Sequence, residues 1–279
     1  MHLANRLDLL PQQHVRLIDM PSSSASMRAL TAGAVEGACL SLDQVLVARE
    51  RGVPLTVVAV TDKSIGADAI IAHADITDLS GLKGRRLGFD RDSASGVLLA
   101  GALESSGLSL GSLSVLDLSA DRYLDAFFKR EVDALVVQEP YKTLLSQSDM
   151  QILFASTSIP DQIINTIVVR TDALEQRKEQ VQTLVRAHFK TLEQWQENPA
   201  HFVTDISKHS VAEPGLLLQA FEGIQFLSER ESKGMLSGSN PPLDTLAVSL
   251  AKVMVRAHLL RHTLNAPHFA DLTSSRFHP

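Results

Sequence analysis

The feature that most constrains the fold is the uncharged run Leu55-Thr56-Val57-Val58-Ala59-Val60, which follows a Gly-Val-Pro turn. A continuous apolar run rich in β-branched residues is typical of a strand that is covered on both faces, as in a parallel sheet. Further runs at 38–42, 114–118 and 132–137 also predict strands, and they alternate with segments of helical periodicity. Because strands and helices alternate, the sequence predicts an α/β fold rather than a helical bundle or a β-sandwich.

The remaining elements follow from the same periodicities. Residues 15–20 predict a short strand, and the serines after it favour the start of a helix. Further helices are predicted at 43–50, 96–105, 122–130, 180–196, 213–223 and 243–262. Helices therefore dominate the last third of the chain.

Length and charge limit the classes of protein that fit. The chain has 279 residues, which suits one large or two modest α/β lobes. Its formal net charge is −6, and its lysines and arginines do not cluster. Nucleic acid is not a predicted partner, because a phosphate-binding surface needs clustered cations. We expect no membrane span, since no apolar run approaches ~18 residues, and no signal peptide, since residues 1–7 lack the basic and apolar regions of one.

Few residues of the chain are candidates for catalysis or metal binding. Cys39 is the one cysteine of the chain, and its apolar neighbours favour a packed, buried thiol over a reactive one. No nucleophile elbow, zinc-protease motif or P-loop occurs. His258 and His262 have i, i+4 spacing without a carboxylate motif, which favours surface histidines over a metal site. The sequence predicts no catalytic residue, no metal and no cofactor.

A partial internal repeat is the most informative long-range feature. Residues 29–38 (ALTAGAVEGA) align without a gap with 126–135 (AFFKREVDAL), and each unit predicts a helix, a turn and a strand that ends in a polar loop. Two such units would present two sets of polar loops to one cleft. Duplication and the shared physics of helix-turn-strand units both account for the likeness, and both predict two lobes.

Polar loops after strands are the candidate binding elements. The loop at 90–96 lies between a strand and a helix, where hydroxyls and unpaired N–H groups suit an anion, although a serine here can equally cap the helix. Its two aspartates oppose a fully anionic ligand, so a zwitterion or a neutral heterocycle fits as well as an oxyanion. Loops at 22–24, 41–43 and 61–64 also follow strands, and open α/β sheets bind ligands at the carboxyl ends of their strands.

Three segments resemble a known family. They are LTAGAVEGA at 30–38, DLSGLKGRRLG at 78–88 and VDALVVQEPY at 132–141. In order and spacing they resemble the substrate-binding proteins of ABC importers for nitrate, sulfonates, taurine and thiamine-pyrimidine precursors. The resemblance implies a two-lobed type II periplasmic-binding-protein fold, with lobe 1 at 1–77 and 161–279 and lobe 2 at 78–160.

The resemblance also implies a function. A small polar molecule (sulfonate, nitrate, taurine or pyrimidine-like) would bind in a cleft between the lobes of a periplasmic, monomeric protein, which delivers it to the membrane permease without covalent chemistry. The implied ligand-binding residues are Ser22, Ser23, Ser24, Ser41, Leu42, Asp43, Asp62, Ser64, Ser93, Ser95, Gln138, Glu139 and Tyr141.

One departure from the family bears on lobe 1. Family members open with a first strand, whereas this chain opens at a predicted helix, residues 3–10, so the fold is expected to lack the first strand of lobe 1. Two other functions stay open. One is an enzyme on the same fold, of the thiamine-pyrimidine or menaquinone-precursor synthesis type. The other is a ligand-sensing module.

Overall fold

The computed structural model describes residues 2–10, 15–90 and 95–262. The chain forms two compact units. Unit 1 comprises Met1–Lys63, Ile164–His209 and Phe226–Pro279, and unit 2 comprises Ser64–Ile163 and Ser210–Gln225. Residues 64–77, 161–163 and 210–225 thus belong to unit 2, whereas the lobes expected from the sequence assign all three segments to lobe 1.

Strands and helices are numbered in chain order. The strands are β1 (Gly37–Ser41), β2 (Leu55–Ser64), β3 (Asp68–His73), β4 (Arg86–Phe89), β5 (Ser114–Asp117), β6 (Ala134–Gln138), β7 (Met150–Ala155), β8 (Ile164–Arg170) and β9 (Ile224–Phe226). The helices are α1 (His2–Arg6), α2 (Ser23–Thr31), α3 (Leu42–Glu50), α4 (Ser95–Ser106), α5 (Tyr123–Phe128), α6 (Tyr141–Leu145), α7 (Thr171–Gln176), α8 (Lys178–Glu197), α9 (Pro199–Ser207), α10 (Pro214–Glu222), α11 (Glu229–Leu236) and α12 (Pro242–Arg256). The last helix ends at Arg256 rather than at residue 262, and His258 beyond it has a left-handed φ of +58°.

The sheet of unit 1 has the strand order β1-β8-β2-β9. The predicted strand at 55–60 lies within β2, and its valines are fully buried. The expected parallel pairing is not found between β8 and these strands, because β1 and β2 both pair with β8 in the antiparallel direction. A continuous apolar run reflects cover on both faces of a strand, and it does not determine the direction of the neighbouring strand.

The sheet of unit 2 has the order β5-β4-β6-β3-β7. The predicted parallel pairing is present in this sheet, where β4 lies parallel to both β5 and β6. β3 pairs with β6 and β7 in the antiparallel direction. The Asp133 carboxylate accepts hydrogen bonds from the backbone N–H of Arg86 at 2.8 Å and from its guanidinium at 2.9 and 3.0 Å, which ties the start of β4 to the start of β6.

The helix-turn-strand repeat predicted from the sequence has the same backbone conformation in both units. Gly33 donates to the Leu30 carbonyl at 3.1 Å, and Arg130, at the equivalent position, donates to the Phe127 carbonyl at 3.0 Å. Both donors are in the left-handed region, with φ of +72° and +55°. In each unit the turn leads into a strand, β1 in unit 1 and β6 in unit 2.

The equivalence continues at the start of those strands. The carbonyl of Glu36 accepts the N–H of Arg170 at 2.8 Å, and the carbonyl of Asp133 accepts the N–H of His73 at 3.2 Å. β1 therefore pairs antiparallel with β8 as β6 pairs antiparallel with β3. The two units share this arrangement of helix, turn and paired strands.

The strand predicted at 15–20 is wrong, because these residues have no regular secondary structure. Val15 and Leu17 pack against a small core of Ala4, Leu10 and Ala187, while Ile18 is 47% exposed. Inward and outward side chains thus alternate as in a strand. A strand also needs a neighbouring backbone to bond to, and within the described residues no ladder joins this segment.

The expectation of a buried Cys39 thiol is also wrong. Cys39 is exposed, although it lies in the middle of β1. β1 is the outer strand of its sheet among the described residues, so one of its edges has no neighbour to cover the thiol.

Candidate functional site

A row of polar side chains crosses three neighbouring strands of unit 1. Asn165 in β8 lies opposite Ser41 in the β1 ladder and opposite Asp62 in the β2 ladder. The Asn165 amide donates to Asp62 Oδ1 at 2.7 Å, and the Thr61 hydroxyl donates to Asp62 Oδ2, also at 2.7 Å. The row lies where β1 ends, which is where open α/β sheets place their ligands.

Burial affects the ionisation of Asp62, the acidic residue of this row. Desolvation raises the pKa of the Asp62 carboxyl above its ordinary value, and the hydrogen bonds from Asn165 and Thr61 offset part of that rise. Both carboxylate oxygens accept bonds that fix their orientation. Because a carboxylate has about four acceptor positions, Asp62 can still accept a bond from a ligand ammonium or N–H group.

The second polar loop of unit 1 starts α3. The backbone N–H and the hydroxyl of Ser41 both donate to Gln44 Oε1, at 3.2 and 3.1 Å, which satisfies the start of the helix. Leu42 is 1% exposed, so its side chain belongs to the core. Asp43 is 5% exposed, and burial raises the pKa of its carboxyl, with the Ser41 hydroxyl acting in the opposite direction.

The serine loop forms the start of α2. Ser22 Oγ accepts the N–H of Ala25 at 3.1 Å and lies 2.8 Å from Ser24 Oγ, so Ser22 caps the helix as its sequence position allowed. Ser24 is buried, and Ser23 is half-buried. The N-termini of α2 and α3 are the positive ends of their dipoles, and both follow loops that the sequence predicts as candidate binding elements.

In unit 2, Ser64 belongs to a pair of buried hydroxyls. Its Oγ lies 2.7 Å from Ser156 Oγ and accepts the N–H of Asp68 at 3.2 Å. Ser156 in turn accepts the N–H of Gly66 at 2.7 Å. The pair holds the turn between β2 and β3.

The loop after β6 is held by an ion pair. Lys142 Nζ lies 3.3 Å from Glu139 Oε1 and donates to the Gly66 carbonyl at 2.7 Å. The other carboxylate oxygen of Glu139 accepts the N–H of Thr143 at 3.0 Å, at the start of α6. Gln138 ends β6 and is half-buried. Glu139 thus has a structural role in unit 2.

A second polar cluster of unit 2 surrounds Tyr123. The ring of Tyr141 meets that of Tyr123 edge-on, with centroids 5.5 Å apart. The Tyr123 hydroxyl accepts the N–H of Asp90 at 3.2 Å and bonds to the hydroxyl of Ser95, the first residue of α4. Burial raises the pKa of both tyrosines above the ordinary value. Ser93 lies outside the described residues.

The predicted residues thus fall into two sets, one within each unit. Those of unit 1 are Ser22, Ser23, Ser24, Ser41, Leu42, Asp43 and Asp62, and the described ones of unit 2 are Ser64, Ser95, Gln138, Glu139 and Tyr141. Sequence reasoning missed Asn165, Ser156 and Lys142, which hold Asp62, Ser64 and Glu139. Asn165 could have been found from the sequence, because it is a polar residue within the largely apolar strand INTIVVR.

The part of the chain that the structure describes contains neither a metal-binding cluster nor a membrane-spanning helix. Over residues 2–10, 15–90 and 95–262, no group of three His, Cys, Asp or Glu side chains is arranged to hold a metal ion. In the same part of the chain, no helix has the length and apolar character needed to cross a membrane.

The fold matches several solved structures, and two of them are sulfonate-binding proteins. The alkanesulfonate-binding protein SsuA from Xanthomonas axonopodis pv. citri, bound to MOPS, superposes with a TM-score of 0.80 at 20% identity, over 96% of this chain and 92% of that one. The periplasmic aliphatic sulphonate binding protein SsuA from Escherichia coli gives a TM-score of 0.78 at 17% identity, over 95% and 91%. The chain therefore has the type II periplasmic-binding-protein fold, as predicted.

The sequence comparison then identifies the family. Residues 14–201 match the family described as NMT1/THI5 like, and the chain belongs to that family. A protein of Escherichia coli (strain K12), assigned by its name to the binding of aliphatic sulfonates, is 24% identical over 152 residues. That alignment covers 53% of this chain and 48% of the relative, so the match spans about half the length of that protein. These findings confirm the resemblance to the nitrate, sulfonate and taurine binders.

Proposed function

We propose that the chain is the solute-binding component of an ABC-type import system and that its ligand is a small polar molecule. Membership of the family restricts the class of protein. The observation that carries the proposal is the row Ser41, Asn165 and Asp62, which lies at the carboxyl end of β1 where the fold places ligands. The sulfonate-binding names of the relatives support the same reading.

The charges of unit 1 narrow the ligand further. Hydroxyls at the starts of α2 and α3 suit an oxyanion such as a sulfonate or nitrate. Asp43 and Asp62 lie in the same set of loops, and a carboxylate repels an anion but accepts from an ammonium group. Among sulfonates, nitrate, taurine and pyrimidines, the arrangement therefore favours taurine, whose sulfonate and ammonium would each meet a matching group.

Binding alone suffices for this role. The ligand would be bound, carried to the permease and released unchanged, so no bond is made or broken. The predicted ligand residues, the permease partner, the periplasmic location and the monomeric state all belong to this proposal. The names of two similar proteins support it. One is named for binding aliphatic sulfonates, and the other is named as a periplasmic aliphatic sulphonate binding protein.

A thermal-shift series tests the proposal. Taurine, ethanesulfonate, nitrate and a pyrimidine are each added to the folded protein, and taurine is expected to raise the melting temperature most. In Asp62→Asn we expect taurine to lose most of its effect and ethanesulfonate to keep its own, because the ammonium loses its charged acceptor. Glu193→Gln, at an exposed position of α8, is the control for loss of a negative charge. Stabilisation by none of the four would contradict the proposal.

A further inference from the structure

β2 contains a bulge at Thr61, directly before Asp62 of the polar row. Val60 lies opposite Thr166 of β8. The next pair of the ladder joins Asp62 to Asn165, so Thr61 has no counterpart in β8. A regular ladder would place Thr61 opposite Asn165 and would move Asp62 one position further along. The bulge therefore brings the carboxylate to the amide.

The bulge also allows two consecutive side chains to meet. In a regular strand, the side chains of neighbouring residues point to opposite faces of the sheet. The Thr61 hydroxyl nevertheless donates to Asp62 Oδ2 at 2.7 Å. Bulges redirect side chains in this way and are common beside functional sites. With the Asn165 amide bonded to Oδ1, the carboxylate is held by one donor from its own strand and one from β8.

The backbone of the bulge is bonded by later parts of unit 1. The N–H of Val60 donates to Ser232 Oγ in α11 at 2.9 Å, and Ser232 is fully buried. The carbonyl of Thr61 accepts the N–H of Leu227 at 2.9 Å. A bulge disrupts the ladder locally, and buried backbone groups need other partners there. Ser232 and Leu227 supply such partners on consecutive residues of β2.

We propose that Thr61 and Ser232 are positioning residues, which aim the Asp62 carboxylate at the cationic group of a ligand. The inference rests on the proposed function, in which Asp62 accepts the ammonium group of a small zwitterion. Thr61 fixes the orientation of the carboxylate, and Ser232 fixes the backbone from which it projects. Both contacts form without a ligand, so the acceptor is oriented before the ligand binds and less order is lost on binding.

Thr56 provides a matched control within the same strand. Its hydroxyl oxygen lies 3.1 Å from that of Thr171, and the residue is buried like Thr61. Thr56→Val therefore removes a buried hydroxyl from β2 without removing a bond to Asp62. Any general effect of a lost hydroxyl on the strand should appear equally in this variant.

Calorimetric titration of the full chain with taurine and with ethanesulfonate tests the role of Thr61. Thr61→Val should weaken taurine about tenfold and ethanesulfonate less than about twofold, because ethanesulfonate has no ammonium group for Asp62 to bind. Thr61→Ser keeps the hydroxyl and should bind both compounds as the native chain does. Thr56→Val should also leave both affinities unchanged.

Ser232→Ala tests the contact with the backbone. The substitution removes the acceptor of a buried N–H beside the bulge, so the position of Asp62 should be less well fixed. We expect taurine to bind several-fold more weakly and ethanesulfonate to bind as in the native chain. Thr191→Val is the control, because it removes a buried hydroxyl of α8 that bonds within its own helix.

NMR titration of the side-chain carboxyl carbon of Asp62, in the chain without ligand, tests the contact independently of binding. The signal is identified by its loss in Asp62→Asn. Burial raises the pKa of this carboxyl, and the hydrogen bonds from Asn165 and Thr61 lower it. Thr61→Val should therefore raise the pKa further, whereas Thr61→Ser and Thr56→Val should leave it at the native value.

Equal weakening of taurine and ethanesulfonate in Thr61→Val and Ser232→Ala would show that the two residues serve the fold alone, and it would overturn the inference. Failure of Thr61→Ser to restore taurine binding would do the same. If the native chain binds neither compound, the proposed function fails, and the NMR titration decides the role of Thr61. An unchanged pKa of Asp62 in Thr61→Val would then overturn the inference, and a raised pKa would support it.

Discussion

Gly33 and Arg130 occupy the same position in the two copies of the helix-turn-strand unit, and both hold a left-handed φ, of +72° and +55°. Each is exposed, and each N–H closes the same backbone hydrogen bond to the preceding helix. The turn therefore requires this conformation whatever the side chain. An L-residue pays about 1–2 kcal/mol for it, and glycine does not.

Gly33→Ala should lower the free energy of unfolding by about 1 kcal/mol for this reason. An added Cβ would meet nothing closer than a guanidinium nitrogen of Arg170 at 4.0 Å, so the cost is conformational and not steric. Arg130→Gly should raise the free energy of unfolding by up to about 1 kcal/mol, because relief of the conformational cost exceeds the entropic cost of glycine. Urea denaturation measures both changes.

The matched control is Gly234→Ala in α11, where no atom lies within 4 Å of the new Cβ. It should raise the free energy of unfolding by about 0.5–1 kcal/mol, because alanine is the better helix former. If Gly33→Ala were stabilising like this control, the shared left-handed turn would not be the cause.

Gly88→Ala tests the packing around β4. Its Cβ would lie 2.6 Å from a methyl of Leu118, 2.8 Å from one of Leu135 and 3.1 Å from one of Val132. Overpacking of a buried position typically costs about 1–3 kcal/mol. Gly111→Ala, whose nearest neighbour is Ser109 Oγ at 4.0 Å, should change stability little by the same denaturation assay. Similar effects of the two substitutions would contradict this account.

His188 should make the fold acid-sensitive. Burial lowers the pKa of its imidazole to about 4 from 6.5, and its Nε2 is buried without a hydrogen-bond partner among the described residues. The unfolded chain then binds the proton more readily than the folded one. This contribution to stability is complete above pH 6.5 and is lost as pH falls toward 4, by up to about 3 kcal/mol.

Unfolding of His188→Gln and the native chain at several pH values between 4 and 7 measures this loss. The variant should lose less stability over that range. His201→Gln, at an exposed position of α9, is the control for removal of an imidazole. Parallel pH curves for His188→Gln and the native chain would contradict the expected role of His188.

Asp43 should give the free energy of unfolding the opposite dependence on pH. Burial raises the pKa of its carboxyl above 3.8, so the folded chain binds the proton more strongly than the unfolded one. Its contribution to stability is complete below the ordinary pKa and is lost as pH rises through the raised value. Relative to the native chain, Asp43→Asn should therefore gain stability as pH rises from about 3.5 to 7. Asp149→Asn, which removes an exposed carboxylate of unit 2, measures the generic effect of a lost negative charge.

The α/β class and most elements were predictable because their signals are local. The run at 55–60 and the helices after residue 174 show their periodicity within one short window. The matching turns at Gly33 and Arg130 were also visible as a gapless repeat. Each of these depends on neighbours along the chain.

Features that depend on distant neighbours were not predictable in the same way. The strand expected at 15–20 has the alternation of a strand but no ladder, because no neighbour lies beside it among the described residues. Cys39 is exposed because β1, in which it lies, has no neighbouring strand on one side among the described residues. Asn165 gains its place in the polar row from the register of β8 between β1 and β2, which no local pattern specifies.

The most direct test of the solute-binding proposal is calorimetric titration of the full chain with taurine, followed by mass spectrometry of the recovered ligand. We predict 1:1 binding, recovery of unchanged taurine, and binding at least about tenfold weaker in Asn165→Ala, which removes the amide that orients Asp62. A natively folded chain that binds neither taurine nor another small sulfonate, or that returns a chemically altered ligand, would contradict the proposal.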